Sequence, residues 1–187
     1  PCEMCEVGKS QDTPGQRTCV LCQSGKFQNE VGREDCKACE VGKSNDAPGR
    51  PTPCQECPLG KIQSAEGQVS CNECSPGQYQ DEKGREDCIA CEVGKSNNAS
   101  GRPTPCQECP EGQIQRLEGQ VSCNDCSSGE YIDATGKTEC IKCATGSANE
   151  NQGRKIPCEM CEVGKSQDKG GQRTCVLCQS GKFQNEV

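Results

Sequence analysis

The sequence predicts a small disulfide-rich fold: an extended tandem-repeat rod of short β-hairpin modules with little or no helix. Three observations support this class. Cysteine occurs 22 times in 187 residues, and Leu, Ile, Val and Phe together number only 22. Because so few large apolar side chains cannot offset the conformational entropy lost on folding, stability has to come from cross-links. The third observation is that cysteine and glycine recur with a common period.

The cysteines fall in eleven Cys-x-x-Cys pairs, whose starting positions advance by two equal steps and then by one that is a single residue longer. The pairs begin at Cys2, Cys19, Cys36, Cys54, Cys71, Cys88, Cys106, Cys123, Cys140, Cys158 and Cys175. In each longer step a proline directly precedes the next cysteine, at Pro53, Pro105 and Pro157. A module of about 17–18 residues is therefore the repeating element of the chain.

Glycine marks two fixed places in each module, three residues after the second cysteine of a pair and seven residues further on. The first series is Gly8, Gly25, Gly42, Gly60, Gly77, Gly94, Gly112, Gly129, Gly146, Gly164 and Gly181, and the second begins at Gly15 and Gly32. The intervening stretches are too short for a helix and end at a glycine-containing turn, which predicts one small hairpin per module. We expect the glycines to supply positive φ or a close backbone approach near a disulfide.

The modules group into larger units of 52 residues within one continuous array. The units are residues 1–52, 53–104 and 105–156, with 157–187 as a partial fourth. Residues 157–187 repeat residues 1–31, except that Lys169-Gly170 replaces Thr13-Pro14. This recurrence indicates a window from a longer repetitive polypeptide, or identical chains that join end to end.

Three kinds of chemistry compete for the Cys-x-x-Cys pairs. A redox-active pair needs a depressed thiol pKa, commonly at a helix N-terminus, and eleven copies without helices argue against it. Two successive pairs could bind zinc through four thiolates, but eleven pairs leave one over. Disulfides fit the composition of a secreted scaffold better, so neither a metal nor a cofactor is expected.

The cysteine pattern resembles known receptor repeats. The run from Cys22 to Phe27 that leads to Cys36, and the run from Cys74 to Tyr79 that leads to Cys88, resemble the single-disulfide module of tumour-necrosis-factor-receptor-type cysteine-rich domains. They are also similar to the ephrin-receptor-like repeat, in which Cys-x-x-Cys-Pro-x-Gly units recur in tandem. The chain departs from that pattern because proline follows the second cysteine only at Pro58 and Pro110.

The resemblance implies that the second cysteine of each pair bridges to the first cysteine of the next. The implied pairs are Cys5 with Cys19, Cys22 with Cys36, Cys39 with Cys54, Cys57 with Cys71, Cys74 with Cys88, Cys91 with Cys106, Cys109 with Cys123, Cys126 with Cys140, Cys143 with Cys158, and Cys161 with Cys175. Each bridge would close a loop of about 15 residues and stabilise the fold by about 3 kcal/mol in the chain-entropy model. Cys2 and Cys178 are left over, so their partners are expected outside the segment.

The aromatic residues recur once per 52 residues, two positions after a first-series glycine. They are Phe27, Tyr79, Tyr131 and Phe183. One interpretation is a periodic contact stripe. The favoured one is that each ring covers its own disulfide and hairpin, because a core this poor in apolar groups needs its few large ones.

Asn98 begins the tripeptide Asn98-Ala99-Ser100, which has the form of an N-glycosylation sequon in a loop. The equivalent positions in the neighbouring 52-residue units, Asp46 and Glu150, lack it. Asn98 is therefore a candidate glycan acceptor.

Composition also excludes several classes of function. The net charge of -7 and the absence of a basic patch disfavour binding to nucleic acid. No apolar run is long enough to span a membrane. Without histidine or an isolated nucleophile with a base, the chain is not expected to be an enzyme. No Asp-x-Asn/Asp-x-Asp-Gly loop for calcium is present.

Two non-enzymatic functions remain. The first is a structural extracellular repeat protein that forms a rod, stalk or filament shaft, by self-association or by continuation of the same repeat. The alternative is a receptor-type ectodomain or ligand-binding module. Uniformity favours the rod, since Glu-Val-Gly-Lys-Ser recurs at Glu6, Glu40, Glu92 and Glu162, whereas a binding site normally needs one distinct module.

Overall fold

The structure, a computed structural model, describes residues 2–184. Its regular elements are two-residue strands, and these residues contain no helix. The strands are β1 (Lys9–Ser10), β2 (Val20–Leu21), β3 (Lys26–Phe27), β4 (Lys37–Ala38), β5 (Lys43–Ser44), β6 (Gln55–Glu56), β7 (Lys61–Ile62), β8 (Asn72–Glu73), β9 (Gln78–Tyr79), β10 (Ile89–Ala90), β11 (Lys95–Ser96), β12 (Gln107–Glu108), β13 (Gln113–Ile114), β14 (Asn124–Asp125), β15 (Glu130–Tyr131), β16 (Ile141–Lys142), β17 (Ser147–Ala148), β18 (Glu159–Met160), β19 (Lys165–Ser166) and β20 (Val176–Leu177).

The strands form the small hairpins that the glycine spacing predicts. Each odd-numbered strand pairs with the strand that follows it, which gives ten separate two-stranded sheets in the described part of the chain. The first strand of a hairpin follows a first-series glycine, and the second consists of the two residues between the cysteines of the next pair. In the antiparallel pair β3–β4, for example, Lys26 lies opposite Ala38 and Phe27 opposite Lys37. Sheets this small are not stable alone, so other interactions must hold them.

Contacts divide the chain into two compact units. One comprises Pro1–Ile89 with Ala99–Pro105, and the other comprises Ala90–Asn98 with Cys106–Val187. The same module geometry recurs within each unit.

Three backbone hydrogen bonds join consecutive modules inside the first unit. Two run forward along the chain and the third runs back from the next module, so both partners supply donors. At one junction the bonds are Gly25 N–H to the Asn45 carbonyl (2.7 Å), Gln28 N–H to the Arg50 carbonyl (3.1 Å) and Gly49 N–H to the Cys22 carbonyl (2.7 Å). The groups that the short strands leave unpaired are thus satisfied by the neighbouring module.

The second unit repeats this arrangement with nearly the same lengths. At one of its junctions the bonds are Gly112 N–H to the Ile132 carbonyl (2.8 Å), Gln115 N–H to the Lys137 carbonyl (3.2 Å) and Gly136 N–H to the Cys109 carbonyl (2.8 Å). All the donors and acceptors of these three bonds are backbone groups, so the same bonds can form between modules whose exposed side chains differ.

The two glycine series have different structural roles. Both have positive φ, as at Gly60 (78°) and Gly67 (69°). A Cβ added at Gly60 would lie 2.6 Å from the carbonyl carbon of Gly101, two modules further on, and closer still to its oxygen. A Cβ at Gly67 would meet nothing nearer than the Ala38 Cβ at 3.8 Å. Gly60, like Gly8, Gly25 and Gly42, therefore combines positive φ with a close backbone approach, whereas Gly67 requires positive φ alone.

The interior is built from sulfur and amide groups. Among the described residues, the buried apolar side chains are cysteines together with Ile114, Ile132 and Ala148. Many larger aliphatic residues are exposed, among them Leu117 and Val31. This agrees with the prediction that cross-links replace a conventional hydrophobic core.

Candidate functional site

The disulfides form a ladder that runs through the modules. They join Cys5 with Cys19, Cys22 with Cys36, Cys39 with Cys54, Cys57 with Cys71, Cys74 with Cys88, Cys91 with Cys106, Cys109 with Cys123, Cys126 with Cys140, Cys143 with Cys158, and Cys161 with Cys175. The structure thus brings together each pair that the receptor resemblance implies. Their Cα–Cα distances of 5.5 to 5.8 Å lie in the usual range for disulfides.

The sequence separation between bridged cysteines divides the modules into two kinds. Most modules have bridged cysteines with a sequence separation of 14, as in Cys22–Cys36 and Cys57–Cys71, and we call these short modules. In the three long modules, closed by Cys39–Cys54, Cys91–Cys106 and Cys143–Cys158, the separation is 15 residues. Each long module thus contains one extra residue, and in each of them a proline directly precedes the second bridged cysteine.

The two sulfurs of a bridge differ in exposure. The second cysteine of a pair is buried, as at Cys22 and Cys57, whereas its partner is half-buried in most bridges, as at Cys36 and Cys71. Cys2, which is exposed, and Cys178, which is half-buried, have no bridge partner among residues 2–184. That they bond to cysteines outside the segment stays a prediction.

A second ladder consists of side-chain amides three residues after each first-series glycine, which we call the amide position. Short modules carry glutamine there and long modules carry asparagine, with one exception. In the ten modules closed by a disulfide, these amides are Gln11, Gln28, Gln63, Gln80, Gln115 and Gln167 in short modules, and Asn45, Asn97 and Asn149 in long ones. Seven of these nine are at most 4% exposed.

In a short module the glutamine amide connects the middle of the disulfide-closed loop to the residue before its second cysteine. Gln63 Nε2 donates to the Ser70 carbonyl at 2.7 Å. Its Oε1 accepts a hydrogen bond from the Ala65 N–H at 3.1 Å. Ser70 directly precedes Cys71, so the amide ties the loop to the half-buried end of the bridge. A buried polar group that is satisfied in this way stabilises the fold, whereas the same group without partners would destabilise it.

In a long module an asparagine and an arginine share these tasks. Asn45 Nδ2 donates to the carbonyls of Ala47 and, across the junction, Lys26, both at 2.8 Å. The carbonyl before the bridging cysteine, Pro53, accepts instead from Arg50 Nε at 3.1 Å. Asn149 and Arg154 make the corresponding bonds in another long module. In long modules the asparagine, the arginine and the extra residue therefore occur together, and the arginine makes the bond to the carbonyl before the bridging cysteine that glutamine makes in short modules.

One short module departs from the amide ladder. Ile132 occupies its amide position, is 4% exposed, and packs with Ile114 and Cys126 against the half-buried Cys140. The substitution exchanges a polar clamp for apolar contact in the interior and adds no exposed side chain.

Sequence reasoning missed the amide position, although a signal was present. Glutamine or asparagine recurs at one fixed distance from the first-series glycine, and its identity follows the module length. No role was assigned to these residues, because glutamine and asparagine are mostly exposed in proteins. A strictly periodic amide that changes with loop length indicates a buried hydrogen-bonding role instead.

The aromatic position lies on the first strand of a hairpin, close to the next module. The strand residue two after the first-series glycine faces the bridge of the next module, not its own: Ser10 Oγ lies 3.2 Å from Cys36 Sγ. Phe27 lines a small groove with Pro53 and Cys54. Phe183 is 85% exposed. Phe27 is thus close to the bridge of the next module, which sequence spacing alone does not show.

The exposed charges form local pairs. Glu30 accepts hydrogen bonds from Lys37 Nζ at 2.9 Å and from the Arg33 guanidinium. These two cations lower the pKa of Glu30 to about 2. Lys43 likewise lowers the pKa of Glu40 through a hydrogen bond at 2.7 Å. Such solvent-exposed pairs contribute little to stability.

Residues 2–184 contain no group of three or more cysteine and acidic side chains placed to hold a metal ion. In the same range, no helix has the length and apolarity needed to cross a bilayer. Asn98, the candidate glycan acceptor, is exposed.

Comparison with known proteins identifies the repeat. A family described as tyrosine-protein kinase ephrin type A/B receptor-like matches the chain three times in tandem, over residues 8–51, 49–84 and 63–101. These matches together cover residues 8–101, just over half of the 187 residues. No curated protein matches the chain significantly.

Proposed function

Because the chain belongs to the tyrosine-protein kinase ephrin type A/B receptor-like family of cysteine-rich repeats, we propose that it is a non-catalytic extracellular protein whose modules form a rod-like spacer. The spacer would be a stalk, or the shaft of an appendage or filament, and it would extend by self-association or by more copies of the same repeat.

The observation that carries this proposal is the repeated junction. Within each compact unit, consecutive modules are joined by the same three backbone hydrogen bonds, with lengths that differ by only a few tenths of an ångström. Equivalent junctions favour a uniform stack over a folded-back globule, because each module then contacts its neighbours in one way. A uniform stack is the simplest way to hold two points a fixed distance apart.

The disulfide ladder supports an extracellular location. Disulfides persist in oxidising compartments and are rare where thiols are kept reduced. Ten bridges at about 3 kcal/mol each in the chain-entropy model supply the stability that the small apolar interior cannot.

A ligand-binding ectodomain is the competing function, and family membership makes it a reasonable alternative. Such a site usually needs an exposed anchor in a module unlike its neighbours. The module that departs from the amide ladder does so at Ile132, which is buried. Its distinctive residue therefore adds nothing to the surface, which supports the spacer.

Small-angle scattering of the oxidised chain tests the spacer. A compact domain of 187 residues would have a radius of gyration of about 16 Å, and the unfolded chain about 46 Å. We expect a value well above the compact one, with a constant cross-section and the scattering profile of a folded particle. The reduced chain, which should scatter as a flexible coil, is the control. A radius near the compact value for the oxidised chain would refute the spacer.

A further inference from the structure

We propose that Asn98 is an N-glycosylation site, modified as the chain passes through the secretory pathway. The inference rests on the extracellular location in the proposed function, but not on the rod-like shape. It assigns a covalent modification to one module of an otherwise uniform array.

Asn98 begins the single Asn-x-Ser/Thr tripeptide in the 187 residues. Two further asparagines, Asn72 and Asn124, are followed two residues later by cysteine, which can replace the hydroxyl residue only as a free thiol. Those cysteines, Cys74 and Cys126, are buried and bridged to Cys88 and Cys140. The acceptor motif is therefore restricted to one place in the folded chain.

Adjacent asparagines have opposite environments at this site. Asn97 occupies the amide position and is only 3% exposed, so it belongs to the interior ladder. Asn98, Ala99 and Ser100 are all exposed. The equivalent positions of the other long modules hold Asp46 and Glu150, so the fold does not require an amide there. The side chain of Asn98 is thus available for modification without loss of a structural contact.

The other long modules explain why this position points outward. Asn45 donates to the Ala47 carbonyl at 2.8 Å and accepts from the Ala47 N–H at 3.2 Å. Asn149 holds Asn151 in the same way, at 2.7 and 3.0 Å. This two-residue clamp leaves the intervening residue, Asp46 or Glu150, exposed at the tip of the turn. Asn98 has the same place in the remaining long module, which the Cys91–Cys106 bridge closes.

The chemistry needs one co-reactant, an oligosaccharide linked to a polyprenyl diphosphate. Nδ2 of Asn98 attacks the anomeric carbon of the sugar at the reducing end and forms the N-glycosidic bond. The bond between that carbon and the diphosphate oxygen breaks, polyprenyl diphosphate leaves, and an enzyme base takes one amide proton. The amide becomes N-substituted and no electrons are exchanged with an oxidant or reductant. An exposed turn is the kind of segment such an enzyme can reach.

The test is expression of residues 1–187 behind a secretion signal in eukaryotic cells. We expect a gel-mobility shift in the wild-type chain that peptide N-glycosidase removes, and peptide mapping should then find aspartate at position 98. Asn98→Gln and Ser100→Ala should each abolish the shift and retain the ten disulfides. As a matched gain-of-site control, Asp46→Asn with Pro48→Ser places a sequon in the equivalent turn and should add a second glycan.

The outcomes separate this proposal from the spacer. A wild-type chain without a mobility shift, whether secreted or retained in the cell lysate, would overturn glycosylation at Asn98. A glycan at position 46 but not at Asn98 in the Asp46→Asn, Pro48→Ser variant would overturn it more clearly. Neither result would alter the scattering on which the spacer depends. Conversely, a glycosylated but compact chain would refute the spacer and support Asn98.

Discussion

Replacing one glycine in a module should reveal the close approach between module n and module n+2. In Gly60→Ala the new methyl group enters the space of the Gly101 carbonyl, whose carbon is 2.6 Å from the ideal Cβ position. In Gly67→Ala, the matched control, the nearest atom is the Ala38 Cβ at 3.8 Å. Both glycines have positive φ, so both variants incur the conformational cost of about 1–2 kcal/mol. The difference between them isolates the contact.

The size of that difference follows from the bonds near Gly60. To admit the methyl group, the modules must separate, which weakens the hydrogen bonds from Gly60 N–H to the Gln80 carbonyl (2.7 Å) and from Gly101 N–H to the Cys74 carbonyl (2.8 Å). Two weakened bonds and the residual overlap should make Gly60→Ala about 2–4 kcal/mol worse than Gly67→Ala.

Amide hydrogen exchange of the oxidised protein, measured by NMR, reports this local cost because the disulfides prevent global unfolding. A difference of about 2–4 kcal/mol corresponds to roughly 30-fold to several-hundred-fold faster exchange at Gly101 in Gly60→Ala than in Gly67→Ala. Equal exchange rates in the two variants would refute the argument that this contact, and not the dihedral angle alone, requires glycine at position 60.

Three further outcomes can be measured. Gln63→Ala removes the buried amide and should lower the local stability of its loop by about 1–3 kcal/mol, measured as faster amide hydrogen exchange there. The control Gln68→Ala, at an exposed residue, should be nearly neutral, and equal effects of the two variants would contradict the role of Gln63. The carboxyl of Glu30 should titrate by NMR at about pH 2, so its small contribution to stability is present above pH 4.5 and is lost as the pH falls through 2. The variant Lys37→Met should raise this titration midpoint, and an unchanged midpoint would show that Lys37 is not the cause of the lowered pKa. Reduction without metal should unfold the chain because the bridges replace its core, and dispersed NMR spectra in excess reductant would show that reasoning to be wrong.

The features predicted from the sequence are those that repeat at fixed spacing. The cysteine and glycine periods predict hairpins and cross-linked modules, because the stretches between glycines are too short for a helix, and the receptor resemblance implies which cysteines pair. The partner of Gly60 could not be predicted, since Gly101 lies two modules further along the chain and its approach depends on how successive modules stack. The position of Phe27 beside Cys54 was missed for the same reason. Spacing determines local structure, whereas contacts between modules follow from three-dimensional geometry.

The buried amides were missed for a different physical reason. Glutamine and asparagine usually lie at the surface, and a lone polar residue per module gives no hydrophobic period to detect. In every third module the extra residue is accompanied by the hydrogen bonds of Asn45 and Arg50, and these contacts can be recognised only in the folded chain.

The repeated backbone junction has a consequence for how such a chain can change over generations. A set of three modules carries its own glycines and its own asparagine, and its neighbours present the same backbone groups, so the whole set can be duplicated or deleted without a matching mutation next to it. Gene duplication can therefore lengthen the protein in discrete steps of three modules. The near-identity of residues 1–31 and 157–187 is the trace that such copying would leave. Copy number then sets the length of the array, while the fold of each module stays the same.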